Sequence, residues 1–147
     1  MTMRLVSLNV GGPRPLKRAN GEGYFTSSIG RRPVTAPVEL KVEGFQGDDC
    51  SFKGHHGPYM AVNVFCEERY AEIEEFAGRK LRRPSFGENL TLAGLTEEEA
   101  RVGDLIGLGE ARLRVTQPRE PCGNIVSFLG IRGILKFLRE ANISGYY

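Results

Sequence analysis

The chain of 147 residues carries a formal net charge of +2, with 40% hydrophobic and 26% charged residues. This length predicts one domain, residues 1–147, that buries a hydrophobic core without disulfides. The small net charge argues against a nucleic-acid partner, and no apolar run reaches the ~18 residues that a membrane span needs. Three cysteines without a CxxC pair, and no signal-peptide pattern at the N-terminus, predict a reducing, cytoplasmic location.

Short strands separated by turns dominate the predicted architecture. The chain holds 19 glycines and eight prolines, which is typical of a turn-rich barrel and unlike a helical bundle. Period-two alternation or short apolar runs predict strands over residues 4–10, 38–42, 61–65, 90–92, 105–108 and 111–116. Gly109 and Glu110 separate the last two strands as a two-residue hairpin turn. The glycine-rich residues 21–30 predict a mobile loop or a loose hairpin.

Helical spacing occurs in two parts of the chain. Residues 67–77 place apolar side chains on one helical face, and Gly78 is a C-terminal stop. Cys66 begins the same apolar stripe and is interpreted as a core thiol. Residues 125–138 show a helical period that two glycines interrupt, which predicts two short helices.

Cys122 is the strongest candidate for chemistry. It follows the end of the predicted strand 111–116, whereas a cysteine that serves only packing normally lies in an apolar periodic segment. Pro118 and Pro121 stiffen the turn, and Arg119 places a cation near the sulfur, which favours the thiolate form. A soft thiolate suits molybdenum, zinc or cuprous copper. An inert loop cysteine is the alternative interpretation of this position.

A long polar loop between the second and third predicted strands offers further titratable groups. It contains Asp48, Cys50, His55 and His56, and it has no predicted core to serve, so its side chains are candidates for function. A histidine here would act as a proton donor, an anion contact or a metal ligand. A solvated or backbone-bonded histidine is the alternative. A zinc site that combines these groups with Cys122 is disfavoured, because their spacing matches no closed zinc pattern.

The segment Phe86-Gly87-Glu88-Asn89 combines a glycine with an acid and an amide. The glycine allows the backbone to approach a ligand closely, and the acid and amide can bond the polar edge of a heterocycle. The alternative is an ordinary turn that enters the strand over residues 90–92.

Two basic segments, residues 31–32 and residues 79–83, raise the alternative of a phosphate site. We interpret both as solvated charged surface, the more frequent role of such runs.

Together these segments resemble the MOSC domain, the family named for the C-terminal domain of molybdenum-cofactor sulfurase, and in particular its stand-alone bacterial YiiM-like branch. The resemblance spans nearly the whole chain. It is carried by Val6-Ser7-Leu8-Asn9-Val10-Gly11, Ser28-Ile29-Gly30-Arg31-Arg32-Pro33-Val34, Gly47-Asp48, His55-x-Gly57-Pro58, Phe86-Gly87-Glu88-Asn89-Leu90-Thr91, Gly103-Asp104 and Val115-Thr116-Gln117-Pro118-Arg119-x-Pro121-Cys122.

The resemblance implies a mainly β fold with peripheral helices, built as a MOSC-type β-barrel. It also implies a molybdenum-pterin cofactor, with Cys122 as the metal ligand, and a molybdenum-dependent reductase of N-hydroxylated compounds. Electrons would come from a separate reductase, and His55 or Asp48 would supply a proton. The remaining residues implied for cofactor binding are Arg119, Gly57, Phe86, Gly87, Glu88 and Asn89.

Several positions depart from the family pattern. Met60 stands where a lysine is common, and His56 stands where a glycine is usual. These departures favour an alternative function, a cofactor or sulfur carrier without turnover of its own. Family members usually continue beyond Tyr147 into a further strand. The sequence therefore predicts an open barrel edge that a partner chain covers, by strand addition or as a homodimer.

Overall fold

The computed structural model of the protein describes residues 2–50 and 57–147. In these ranges the chain forms short strands and three helices. In chain order they are β1 (Arg4–Val10), β2 (Arg14–Lys17), β3 (Tyr24–Ser27), β4 (Arg32–Pro33), β5 (Leu40–Lys41), β6 (Gly44–Phe45), β7 (Val64–Cys66), α1 (Glu67–Ala77), β8 (Leu90–Ala93), β9 (Leu105–Leu108), β10 (Ala111–Arg114), α2 (Gly123–Leu129) and α3 (Ile134–Glu140).

A four-stranded sheet with the order β4-β1-β8-β7 forms the centre of the fold. β1 pairs antiparallel with β4 and β8, and β7 pairs parallel with β8. Three antiparallel hairpins accompany this sheet: β2 with β3, β5 with β6, and β9 with β10. The predicted mainly β class with few helices is confirmed. Over residues 2–50 and 57–147, however, the sheets do not close into the predicted barrel.

β7 separates two hydrophobic clusters. Successive side chains of a strand point to opposite faces, so Phe65 packs with the cluster that includes α1 and α3, while Val64 and Cys66 pack with the cluster under β8 and β9. All three residues are buried because both faces of β7 are covered. Each fully buried large aliphatic or aromatic side chain contributes about 1.5–3 kcal/mol to the folded state.

The predicted helix over residues 67–77 is confirmed with the same bounds. Gly78 caps it at a φ of 68°, in the left-handed conformation that favours glycine. Cys66 precedes the helix and is fully buried, as the core-thiol interpretation requires. Burial raises the pKa of the Cys66 thiol well above its ordinary value, which leaves it protonated and chemically inert.

The last residues of the described chain lie between the central sheet and the segment before Cys122. Tyr146 forms antiparallel bridges to Val64 on one side and to Pro118 on the other. Gly145 has a φ of 72°, and a Cβ atom built on it would lie 2.3 Å from the backbone oxygen of Val64. This close approach requires a glycine, and the carbonyl of Gly145 accepts a hydrogen bond from the backbone N–H of Arg119 at 3.1 Å.

The hairpin β9–β10 and the two C-terminal helices follow the sequence-based expectation closely. β2 and β3 show that residues 21–30 contribute to a hairpin. None of the helices within residues 2–50 and 57–147 has the length and apolar character to cross a membrane.

We expect Glu74→Gln to destabilise the fold at neutral pH. The Leu81 backbone N–H, the Lys80 ammonium and the Arg83 guanidinium all donate to the Glu74 carboxylate at 2.7–3.0 Å. They lower its pKa from 4.5 to about 2. Because the folded-state pKa is depressed, its stabilisation is present above pH 4.5 and is lost as the pH falls towards 2.

Urea unfolding monitored by circular dichroism measures this effect. Glu74→Gln should lower the free energy of unfolding at pH 7 by about 1–3 kcal/mol. As the pH falls from 4.5 to 2, the free energy of unfolding should also decrease less in the variant than in the wild type. The exposed neighbour Glu75→Gln is the control and should change it by less than about 0.5 kcal/mol. Equal effects of the two variants would contradict the proposed role of Glu74.

Candidate functional site

A cavity of about 430 Å³ opens where the end of β3, the loop before β8 and the loop before α2 meet. This volume lies within the range of small-molecule sites. The residues around it are both polar and apolar and include Ser27, Ser28, Ile29, Arg31, Asp48, Asp49, Cys50, Met60, Asn63, Phe86, Gly87, Asn89, Arg119, Glu120, Cys122, Asn124 and Tyr147. Loops position most of them, which is common for binding sites on a rigid sheet.

Cys122 lies at the wall of this cavity. Its backbone is extended, with φ −123° and ψ 167°, and it immediately precedes α2. The residue is exposed and its thiol is not in a disulfide. The sulfur is therefore accessible to a ligand in the cavity, in contrast to the buried Cys66. Cys50 also lines the cavity and is partly exposed.

Arg119 places a guanidinium in the wall beside Cys122. Its side-chain N–H donates to the backbone oxygen of Phe86 at 2.9 Å, and its guanidinium carbon lies 5.9 Å from the centre of the Tyr147 ring. With the backbone bond to Gly145, three contacts fix the position of Arg119. Its remaining N–H donors are available to an anion in the cavity.

The segment that was expected to bind a heterocycle divides into two roles. Phe86, Gly87 and Asn89 line the cavity, whereas Glu88 does not and is fully buried. The Glu88 carboxylate accepts hydrogen bonds from the Tyr70 hydroxyl, the Thr91 hydroxyl and the backbone N–H of Phe86. Since its oxygens already have partners within the protein, Glu88 holds the loop in place and does not bind a ligand in the cavity.

Gly87 and Asn89 hold the same loop in place from the cavity side. Gly87 has a φ of 71°, and a Cβ atom on it would come within 3.2 Å of the Ile29 backbone. The Asn89 side chain accepts from the Asn63 backbone N–H and donates to the Asn9 backbone oxygen, each at 3.1 Å. Asn89 is therefore largely committed to the protein itself.

Asp48, a predicted proton donor, is engaged in an ion pair. Its carboxylate accepts from the Arg31 guanidinium at 2.7 and 3.1 Å, and also from the Gly11 backbone N–H at 3.0 Å. Both charged side chains are 8% exposed. Arg31 further donates to the Gly87 backbone oxygen at 2.7 Å, so the pair joins three segments of the cavity wall. This arrangement favours a positioning role for Asp48 over proton donation.

The prediction that residues 31–32 form solvated surface is wrong for Arg31. Arg31 and Arg32 are neighbours in the sequence and are equivalent in the charge pattern. Arg32 is exposed, while the Arg31 side chain is buried against Asp48. No local signal distinguishes them, because the partner of Arg31 lies 17 residues away along the chain.

Two serines in the cavity wall had no assigned role in the sequence. The Ser27 hydroxyl accepts from the Asn124 side chain at 3.2 Å and from the Ile29 backbone N–H at 3.1 Å. The Ser28 hydroxyl oxygen is buried, and within residues 2–50 and 57–147 it has no hydrogen-bond partner. A buried polar atom without a partner is costly, so a ligand that bonds to Ser28 would satisfy it.

Gly57, like Glu88, is a predicted site residue that does not line the cavity, and its carbonyl accepts from the Met60 backbone N–H at 3.1 Å. His55 lies outside the described residues, so its proposed proton transfer stays a prediction. In the part of the chain that the structure describes, no three His, Cys, Asp or Glu side chains converge to hold a metal ion.

Comparison with known proteins identifies the family of this fold and cavity. Residues 51–147 match the family profile of the MOSC domain. The chain therefore belongs to the MOSC domain family.

Named relatives support this assignment. The chain is 39% identical to the Bacillus subtilis protein YflK over 144 residues, which covers 97% of this chain and 64% of YflK. It is 33% identical to YiiM of Escherichia coli over 82% of this chain and 55% of that protein. It is also 31% identical to a protein of Gibberella moniliformis named as a reductase, over 80% of this chain and 21% of that protein. The chain thus spans less than two thirds of the length of these relatives.

Solved structures agree with the fold. YiiM from Geobacillus stearothermophilus superimposes with a TM-score of 0.79 at 31% identity, over 99% of this chain and 66% of that structure. YiiM from Escherichia coli gives a TM-score of 0.69 at 29% identity, over 80% of this chain and 56% of that structure.

We expect Asp48→Asn to weaken the cavity wall. The amide cannot pair with both guanidinium nitrogens as a carboxylate does, and it leaves the largely buried charge of Arg31 uncompensated. The free energy of unfolding should fall by about 2–4 kcal/mol in urea denaturation. The matched control is Glu140→Gln, which removes the exposed 3.8 Å pair with Lys136 and should cost less than about 0.5 kcal/mol. An Asp48 variant as mild as the control would show that the pair does not support the wall.

Proposed function

We propose that this MOSC protein binds a molybdenum-pterin cofactor in the cavity, with the Cys122 thiolate as the protein ligand of the metal, and reduces N-hydroxylated compounds. The observation that carries the proposal is the position of Cys122. An exposed thiol outside any disulfide lies at the wall of a cavity that also contains a fixed guanidinium and a buried serine hydroxyl without a partner.

The chemistry of the lining fits the proposed group. Molybdenum accepts soft thiolate sulfur, and a pterin with a phosphate presents hydrogen-bonding edges and negative charge. Arg119 can bind the anionic part through its remaining donors, and Ser28 can bond to a polar edge. Since one thiolate cannot complete a metal's coordination, the cofactor itself would supply the other sulfur ligands.

The bound group would supply the two electrons that cleave an N–O bond, while the protein supplies position and protons. Reduction of a hydroxylamine to an amine and water consumes two electrons and two protons. Asp48 is paired with Arg31, so the His55 side chain stays the proposed donor of a proton. The role of Arg31 and Asp48 is to hold the Gly87 loop and the wall in one geometry.

Electrons would arrive from a separate reductase in this proposal. The Gibberella moniliformis relative named as a reductase supports a redox role, but only 21% of that protein matches this chain. Since so little of it corresponds, its further segments can carry functions that a partner protein supplies here. Cofactor binding without turnover is the second outcome that the tests below distinguish.

We expect Cys122→Ala to abolish molybdenum retention. Protein purified from a host that synthesises the cofactor should contain molybdenum and pterin, measured by elemental analysis and by fluorescence of the oxidised pterin. Loss of the sulfur ligand should lower molybdenum content at least about tenfold, because even residues that only orient a metal's ligands typically contribute about 10–100-fold to metal affinity. Folding should be unaffected, since Cys122 is exposed.

Cys50→Ala is the matched control, because Cys50 is the other thiol at the same cavity. It should retain wild-type molybdenum and pterin content. Zinc in place of molybdenum, or full molybdenum retention in Cys122→Ala, would contradict the proposed ligand. Cofactor binding without reduction of a hydroxylamino substrate, in the presence of a chemical reductant, would favour the carrier function.

We expect substitutions of Arg119 to separate its charge from its geometry. Arg119→Gln removes the cation and should lower pterin content about tenfold or more, as a charge-assisted hydrogen bond contributes about 1.5–3 kcal/mol. Arg119→Lys keeps the charge but not the planar fork that bonds Phe86 and an anion together, so it should give an intermediate content. The exposed Arg132→Gln is the control. Identical pterin content in all four proteins would rule out an anion contact at Arg119.

A further inference from the structure

A buried carboxylate outside the cavity bonds to the turn that contacts Arg119. Glu97 lies in the turn after β8, and its side chain is 7% exposed. One carboxylate oxygen accepts from the backbone N–H groups of Ser144 and Gly145, at 3.2 and 2.9 Å. The other accepts from the Nε–H of Arg69 at 3.0 Å. Glu97 is not among the described residues that line the cavity, so it acts on a ligand there only through the residues that it holds.

The Glu97 carboxylate is ionised in the folded protein at neutral pH. Burial by itself raises the pKa of a carboxyl group, but the hydrogen bonds from the Gly145 N–H and from Arg69 hold the pKa of Glu97 below its ordinary value. Arg69 lies on α1 and also donates to Glu72 and Glu98, at 2.9 and 3.1 Å. Both of these carboxylates are more exposed than that of Glu97. Glu97 is therefore the partner that links Arg69 to the interior.

Gly145 depends on such external contacts for its conformation. Glycine adopts left-handed and right-handed backbone conformations almost equally well, and Gly145 has a φ of 72°. Two successive N–H groups that converge on one oxygen form a concave anion site, and the Glu97 carboxylate occupies it. On the other side, the Tyr146 N–H donates to the Val64 oxygen at 3.0 Å. Glu97 and Val64 together therefore fix the left-handed turn.

The turn determines the position of Arg119 through two contacts. The Gly145 carbonyl accepts from the Arg119 backbone N–H at 3.1 Å. The Arg119 side chain also packs against Gly145, since a Cβ atom built on Gly145 would lie 3.4 Å from the Arg119 Cδ. From there the guanidinium reaches the Phe86 oxygen in the cavity wall. A rotation of the Gly145 backbone would therefore displace the guanidinium.

We propose that Glu97 is a positioning residue for the anion contact at Arg119. Its charge holds the Ser144 and Gly145 N–H groups, and the turn holds the backbone and side chain of Arg119. The guanidinium is thereby presented to the cavity in one geometry. The effect on cofactor binding rests on the proposed function, whereas the fixed geometry of Arg119 does not.

We expect Glu97→Gln to release the turn. The amide has nearly the same shape, but its NH2 group must face either Arg69 or the two backbone N–H groups, so a donor meets a donor on one side. Pterin content per folded protein should fall about fivefold or more, the usual size of coupling between separate sites. Backbone hydrogen exchange at Arg119, measured by NMR, should become about tenfold faster.

Two controls separate positioning from stability. Glu98→Gln removes another carboxylate from Arg69, but the described partner of Glu98 is Arg69 and not the turn. It should therefore keep the pterin content and the Arg119 exchange rate of the wild type. Glu74→Gln is expected to destabilise the fold through contacts with residues 80–83, and should also keep its pterin. An equal loss of pterin in Glu74→Gln and Glu97→Gln would leave Glu97 a purely structural residue and overturn the proposal.

Glu97→Asp provides a second, milder variant, which decides the matter if Glu97→Gln does not fold. It keeps a negative charge beside Arg69, but the shorter side chain cannot span both Arg69 and the turn. Exchange at Arg119 should become about threefold faster, and pterin content should be intermediate. Wild-type values for both quantities in Glu97→Asp would contradict the proposed role.

A double substitution tests whether Glu97 acts through Arg119. In the Arg119→Gln background, Glu97→Gln should change pterin content by less than about twofold, because the guanidinium that it positions is absent. The same fold-loss in both backgrounds, or unchanged Arg119 exchange in Glu97→Gln, would overturn the proposal. Wild-type protein without pterin would contradict the proposed function alone, since exchange at the Arg119 amide still tests the role of Glu97.

Discussion

The pairing of Tyr146 between Val64 and Pro118 is the contact on which the arrangement of the site depends. Val64 belongs to the central sheet, whereas Pro118 belongs to the segment that leads to Cys122. Along the chain they are separated by α1, β8, β9 and β10, so the bridge joins two segments that are distant in sequence. Gly145 makes the bridge sterically feasible, since any side chain there would meet the Val64 oxygen. The same turn bonds to Arg119 and thereby aligns the guanidinium with the cavity.

Tyr147, at the end of this bridge, separates two surfaces with different chemistry. One side is the cavity with Cys122, which has charged, polar and apolar groups in its wall, and the other is the more apolar groove beside β10. The Tyr147 backbone bonds to Thr116 and Gln117, and its ring lies near the Arg119 guanidinium. The wall between the two surfaces and the position of Arg119 therefore depend on the same residue, Tyr147.

Local patterns in the sequence predicted the elements whose determinants are local. The helix α1 depends on its own apolar spacing and on Gly78, and the hairpin β9–β10 depends on alternation and a two-residue turn. Both were predicted with nearly their final bounds. The strand predicted over residues 38–42 is shorter in the structure, because only Leu40 and Lys41 have partners in β6. Alternation indicates which face is buried, but it does not indicate how long a neighbour accompanies the strand.

The candidate site was less predictable, because its residues meet through long-range contacts. Glu88 and Asn89 are adjacent in an apparently uniform motif, yet Glu88 turns to Tyr70 behind the loop and Asn89 lines the cavity. Ser28 gave no signal, since an unpaired hydroxyl becomes visible only when its surroundings are folded. Cys122 is a candidate in the sequence for the opposite reason: it follows the end of a strand and lies beside prolines, outside any apolar periodic segment.

The charges around the cavity limit how an anionic group can bind there. Four carboxylates, Glu43, Asp48, Asp49 and Glu120, and two guanidiniums line it. Asp48 and Arg31 neutralise each other in a buried pair, which leaves Arg119 against three carboxylates. Those three residues are exposed, so water and salt screen their repulsion. Arg119 is partly buried and fixed by Phe86, so its attraction is screened less. An anion that enters therefore gains most from Arg119, and added salt weakens the repulsion of the exposed carboxylates more than the attraction of Arg119.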